Sequence, residues 1–151
     1  LVGSEMCIRD SSGTVDGPGF KRTALAGADF IDTLERQVSV RESIREQVAW
    51  AQPFFARVPK DILGHKYVQP WLEPLRLEEL NVDKTVGELG VMDRFRLRIL
   101  LALVSRPNAE LLVVDDVDQV KKMALRRQIM DDLEVVASYL PVIVTTVNEE
   151  Q

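Results

Sequence analysis

Asp115 and Asp116 end the apolar run Glu110-Leu-Leu-Val-Val, and they are the residues of this sequence best placed to do chemistry. An acid delivered at the tip of a buried strand can hold a magnesium ion beside phosphate oxygens, directly or through water. The bland alternative is a solvated strand end, because apolar runs that finish in two acids are common. Other reactive residues are few. Cys7 is the single cysteine and His65 the single histidine, which excludes an internal disulfide framework and a cysteine-based zinc site. They leave no nucleophile–histidine dyad of obvious context, and a reducing, intracellular setting is the default. His65, beside Gly64, reads as a surface or packing residue.

The elements that must position these acids can be read from apolar spacing. Residues 110–114 form a buried parallel strand, and residues 142–146 a second one, rich in β-branched side chains. Between them residues 122–140 carry Leu125, Ile129, Leu133, Val136 and Leu140 on one stripe, and Pro141 ends that helix. Strand, helix, strand is a βαβ crossover, so the class is α/β with a mixed or parallel sheet. In such sheets ligands bind beyond the carboxyl ends of the strands, where Asp115 and Asp116 stand. Upstream, residues 93–105 predict a helix buried at its C-terminal end. Residues 23–31 predict a strand, and a helix opening at Val38 places Val40, Ile44 and Val48 on one face. Residues 49–80 read as irregularly helical, broken by Pro53, Pro59, Pro70 and Pro74. Trp50, Phe54, Phe55, Tyr67 and Trp71 in that stretch predict a small satellite core, with a partner-binding surface as the alternative. The Lys121-Lys122 and Arg126-Arg127 pairs read as the solvated face of their helix.

Composition limits the partners. With 151 residues the chain can bury one sizeable core. A net charge of −5 argues against nucleic acid as the main partner and against direct binding to anionic lipid. No apolar run approaches the roughly 18–20 residues of a membrane span, so direct membrane insertion is not expected and any link to a membrane passes through another protein. Residues 1–11 have no helical or strand period and no signal-peptide pattern. They resemble translated sequencing-adapter read-through, with a native disordered tail as the alternative, and Cys7 within them carries no expected function.

Order and spacing from residue 12 to 151 resemble the ATP-binding subunit of ABC transporters. That family carries a Leu-Ser-Gly-Gly-Gln signature, a basic helix, a Pro after a short loop, and an apolar strand ending Asp-Glu. Here Glu88-Leu-Gly-Val-Met-Asp93 precedes the helix with Arg94 and Arg96, then Arg106-Pro107, then the strand to Asp115-Asp116. Gln37-Val-Ser-Val-Arg-Glu-Ser-Ile44 is similar to the stretch that opens the family's helical subdomain. Gly13-Thr-Val-Asp-Gly17 is similar to the hairpin after its phosphate-binding helix, and Val142-Ile-Val-Thr-Thr146 to the strand that ends in its switch histidine. The resemblance implies a partial P-loop NTPase core of ABC type over residues 12–151, with an inserted α-helical subdomain over about residues 38–88.

Departures from the family pattern are as informative. The sequence has no Gly-x-x-x-x-Gly-Lys-Ser/Thr, the loop whose amides and lysine grip the phosphates. The adapter-like start predicts that this loop was cut from the sequence and not lost by the gene. Leu89, Gly90, Val91, Met92 and Asp93 stand at the signature, which in the family contacts the γ-phosphate held by the opposing subunit. Val91 and Met92 replace glycines that allow close approach, and Asp93 puts negative charge where phosphate should arrive; capping the helix is its structural alternative. Asp116 occupies the catalytic-glutamate position, one methylene short of reaching the attacking water well. Thr146 occupies the switch-histidine position, and Asp32 the position of a nucleotide-contacting glutamine, with Gln37 as a rival. Only Asp115, the metal ligand, keeps the family's residue.

The resemblance thus implies ATP and Mg²⁺ as cofactors, a transmembrane transporter subunit and a second ATP-binding subunit as partners, and a place at the cytoplasmic face of the membrane. The erosion predicts little or no hydrolysis by this chain itself. A different class of reading is a non-catalytic interaction or regulatory domain that reuses the fold.

Overall fold

The computed structural model describes residues 16–26, 35–115, 117 and 120–145. Three short strands form a parallel sheet in the order β1 (Thr23–Ala26), β2 (Leu111–Val114), β3 (Val142–Val144). The register pairs Ala24 with Leu112 and Leu112 with Val142. Alternate residues turn to one face, where Ala24, Ala26, Leu112, Val114, Val142 and Val144 are buried. On the other face Leu111, Val113 and Ile143 are half-buried, and Leu25 is exposed. The α/β class is therefore observed, with the crossover expected from the sequence. The strand expected over residues 23–31 is described only as far as Ala26.

Helix α1 (Val40–Ala51) begins two residues later than expected, because the Ser39 side chain accepts from the Glu42 amide at 3.1 Å and caps it. Val40, Ile44 and Val48 are its buried stripe, as their spacing predicted. A four-residue helix α2 (Gln69–Leu72) follows. Helix α3 (Val91–Ser105) is buried on all sides from Leu97 to Val104, which suits a helix packed on α1, on β1 and on helix α4 (Met123–Ala137). Helix α4 also packs on β3, so α3 and α4 lie side by side over the same sheet face. Ile129, Leu133, Val136 and Leu140 of the predicted stripe are buried, and Leu125 is half-buried.

Two expectations need correction. Between α1 and α3 the chain is mostly turns, with α2 its only α-helix; Pro53, Pro59 and Pro74 stand outside helix, and Pro70 is tolerated only in the first turn of α2. The satellite core forms only in part. Tyr67 and Trp71 pack against the core, and Trp71 meets Tyr139 edge-on at 5.8 Å. Trp50, Phe54 and Phe55 instead face solvent. His65 is a packing residue: it is buried, its Nδ1 accepts from the Tyr67 amide at 3.1 Å, and Nε2 lies 3.3 Å from Gln52 Oε1. Lys121, Lys122 and Arg127 are solvated as expected, whereas Arg126 is half-buried and donates to the Val120 carbonyl.

Candidate functional site

The three strands deliver their carboxyl ends to one place. The Asp115 amide donates to the Ala26 carbonyl at 2.8 Å, continuing the ladder past β1, and the Thr145 amide donates to the Val114 carbonyl at 2.9 Å. Asp115 is exposed, and its Oδ1 accepts a hydrogen bond from the Thr145 hydroxyl. The sheet register causes this pairing, since each residue is the first beyond its strand and β2 lies beside β3. A carboxylate and a hydroxyl side by side are hard oxygen donors. Magnesium takes one or two such groups and otherwise keeps water and phosphate oxygens. The donor chemistry fits a shared magnesium site, although among the described residues no three His, Cys, Asp or Glu side chains could hold a metal by themselves.

A second cluster stands at the start of α3. Segments 36–41 and 82–87 are tied by backbone bonds: Val40 N to Lys84 O, Val86 N to Val38 O, and Gly87 N to Arg36 O, all 2.9–3.0 Å. A side chain at Gly87 would crowd the Arg36 carbonyl at 3.0 Å, so this crossing favours glycine. Glu88 then accepts from the Thr85 amide at 2.7 Å and from its hydroxyl at 2.9 Å, and these bonds hold its carboxyl below its ordinary pKa. Leu89 is buried and anchors the approach.

Gly90 is the N-cap of α3, with φ −63 and nothing within 4 Å of an added Cβ, so a serine would fit there without strain. Val91 is helical and exposed, so the left-handed geometry that valine disfavours is not asked of it. Met92 is half-buried against the core. Asp93 does not cap the helix, because the cap falls at Gly90 and no side chain supplies the bond. Its carboxylate lies in the first turn, 3.6 Å from Arg96. First-turn amides lack intrahelical acceptors and attract anions. Beside them a cleft of about 320 Å³ is lined in part by Arg76, Lys84 and Asp93. The arrangement offers an anion two cations and the helix end, opposed by the two carboxylates of Glu79 and Asp93.

Asp32, Asp116 and Thr146 lie outside the described residues. Of the expected site residues, Asp115 is placed at the strand ends, while Leu89, Gly90, Val91, Met92 and Asp93 form the separate cluster at the start of α3. Two participants were not anticipated. Thr145 reaches Asp115 across the sheet, a pairing visible only once β2 and β3 are in register. Asp132 of α4 is buried under the start of α3, with its Oδ2 accepting from Arg96 Nε at 2.7 Å. Arg76 Nε stands 3.2 Å from the other oxygen, an ion pair without hydrogen-bond alignment. The signal for Asp132 was an acid on the apolar stripe side of α4, between Ile129 and Leu133.

Neither a protein-family model nor a curated protein sequence matches this chain. Solved structures do. The chain is similar to cbiO1 from Clostridium perfringens, part of the ABC transporter complex cbiONQ, with a TM-score of 0.65 and 21% identity over 85% of this chain and 48% of that one. It is also similar to MJ1267, an ATP-binding cassette of an ABC transporter in its ADP conformation, with a TM-score of 0.60 and 19% identity over 85% of this chain and 52% of that one. The chain thus spans about half the length of the structures it matches. Its fold is that of a partial ABC-type P-loop NTPase core.

Proposed function

We propose that this chain belongs to an ATP-binding subunit of an ABC-type membrane transporter, and that its nucleotide motifs are eroded so far that it hydrolyses little or no ATP by itself. The observation that carries the reading is the sheet end, where Asp115 stands at the tip of β2 with the Thr145 hydroxyl on its carboxylate. Asp115 would hold magnesium, which supplies charge neutralisation to the β- and γ-phosphates of ATP. Asp116 and Thr146 would follow directly on these two residues, in the positions of the catalytic glutamate and the switch histidine. Asp32 would stand in the position of the nucleotide-contacting glutamine. Leu89 to Asp93 would meet nucleotide held by a second ATP-binding subunit, poorly, because Asp93 opposes phosphate.

The region from about residue 38 to 88 would be the helical subdomain, and it would dock on a transmembrane partner. That partner places the chain at the cytoplasmic face of the membrane. Among the described residues no helix is long and apolar enough to cross a membrane. Losing one transition-state contact of the kind lost at Asp116 or Thr146 costs about 3 kcal/mol, or roughly a hundredfold in rate.

The test is to express the protein from its native gene and measure Mg·ATP affinity and turnover. Binding with negligible turnover is expected. Turnover at the rate of ordinary transport ATPases would sink the claim of erosion. Absence of any nucleotide affinity would instead favour a non-catalytic interaction domain on the same fold.

A further inference from the structure

The end of α1 and the turn after it carry an aromatic knob that the nucleotide reading does not use. Trp50, Phe54 and Phe55 are 79%, 98% and 76% exposed, and the two Phe rings meet edge-on at 5.5 Å. Contiguous apolar rings turned to water mark an interaction surface, whereas single exposed ones are ordinary. Here the presentation is built. The Ala56 amide donates to Pro53 O and Gln52 Nε2 to Ala56 O, both at 2.9 Å, which closes the turn under the rings. Arg45 donates to Pro59 O at 2.8 Å and Arg41 to Lys60 O at 3.1 Å, which pins its far end to α1. These bonds fix the backbone of the turn that carries Phe54 and Phe55.

Charge decides the occupant. The whole chain carries −5, but residues 47–60 contain no Asp or Glu, and Arg57 and Lys60 are exposed within them. Carboxylates return only at the flanks, with Glu46 and Asp61. Exposed Trp and Phe with cations close in sequence are the composition that settles into a lipid headgroup layer, the rings at the acyl boundary and the cations on lipid phosphates. A protein partner would have to supply a deep socket for a Phe ring that is almost wholly exposed; a bilayer surface needs none.

We infer that the Trp50–Phe54–Phe55 knob, with Arg57 and Lys60, is a peripheral contact for an anionic lipid surface. It is a shallow interfacial contact that spans nothing. The net charge of the chain opposes it over long range, and the local run favours it within a Debye length. The inference does not depend on nucleotide binding.

The experiment is cosedimentation of the 151-residue chain with vesicles of phosphatidylcholine alone and of phosphatidylcholine mixed with an equal part of phosphatidylglycerol. Binding is expected on the anionic vesicles and should weaken as salt is raised. Arg57→Glu with Lys60→Glu should weaken it by about tenfold or more, and Trp50→Ser with Phe54→Ser and Phe55→Ser should abolish it. All five side chains are exposed, so both variants should keep the native circular dichroism. Brominated lipid should quench tryptophan emission in the native chain and lose most of that effect in Trp50→Phe. No binding to anionic vesicles overturns the inference, as does equal binding by the native chain and the triple serine variant. So does a dimer in solution that the serine variant dissolves without any vesicle binding, since the knob would then serve a second copy.

Discussion

Asp132 is the residue whose surroundings constrain it most. It is 1% exposed, and its carboxylate is held between the guanidinium groups of Arg96 and Arg76. A buried ion pair contributes little net stability compared with an apolar replacement, but removing one partner leaves a desolvated charge behind. The two arginines are not equivalent. The Arg96 side chain is 12% exposed, whereas that of Arg76 is 60% exposed and well screened by water. Arg76 also has φ 53, in the left-handed region that favours glycine. Asp132→Ala should therefore cost roughly 3–5 kcal/mol in urea unfolding. Arg76→Gly should be close to neutral, as about 1 kcal/mol of relieved backbone strain offsets a weak ion pair. A loss at Arg76 as large as that at Asp132 would show that the exposed arm is the stronger of the two.

At the scale of elements, α1 and α3 pack their buried stripes on each other. Ile44 is fully buried in α1, and truncating it to Ala should cost about 2–5 kcal/mol, the range for large-to-small changes in a core that relaxes incompletely. Val135 of α4 is exposed, and Val135→Ala should stay within roughly 0.5 kcal/mol. Unfolding midpoints of the two variants check this contrast. The stripes of α1 and α4 were legible because a period of 3.6 needs only the local sequence to show itself. The strands after residues 110 and 141 were legible for a similar reason, as β-branched runs bounded by Pro or acids. Residues 52–80 were not, because prolines remove helix without specifying what replaces it. The exposure of Phe54 and Phe55 was equally hidden, since an apolar ring in a turn has no period to say which way it faces. The site was legible in part. Asp115 follows from the end of an apolar strand, but its Thr145 partner depends on a register between segments 30 residues apart. The cap of α3 was misplaced onto Asp93 because a good capping residue, three positions late, outranked Gly90 on type alone.

The pH response belongs to the whole molecule, because diffuse and local charges pull it in opposite directions. Lowering the pH toward the isoelectric point near 5.0 removes the net charge of −5 and so relieves self-repulsion in the folded chain. Two local groups oppose that gain. Burial, and then the neighbouring Lys66, lower the pKa of His65 below its ordinary 6.5. The Tyr67 amide donates to Nδ1 at 3.1 Å, so that nitrogen already serves as an acceptor in the fold. Glu88 is lowered from 4.5, chiefly by the Thr85 amide and then by its hydroxyl. Both groups take up protons more readily in the unfolded chain, so stability rises with pH through their titration and is lost as pH falls. For His65 the loss starts near pH 6.5 and is complete below its folded value; for Glu88 it starts near pH 4.5 and ends below its own. The local effects should win, because the net charge is spread over the surface and screened beyond about 8 Å in physiological salt. Urea midpoints should therefore hold level above neutrality, decline below pH 6.5, and decline again below pH 4.5. His65→Gln should remove the first decline and leave the second. Added salt should alter neither appreciably. A midpoint that rises on acidification from neutrality toward pH 5.0 would show that relief of the diffuse charge outweighs the buried imidazole.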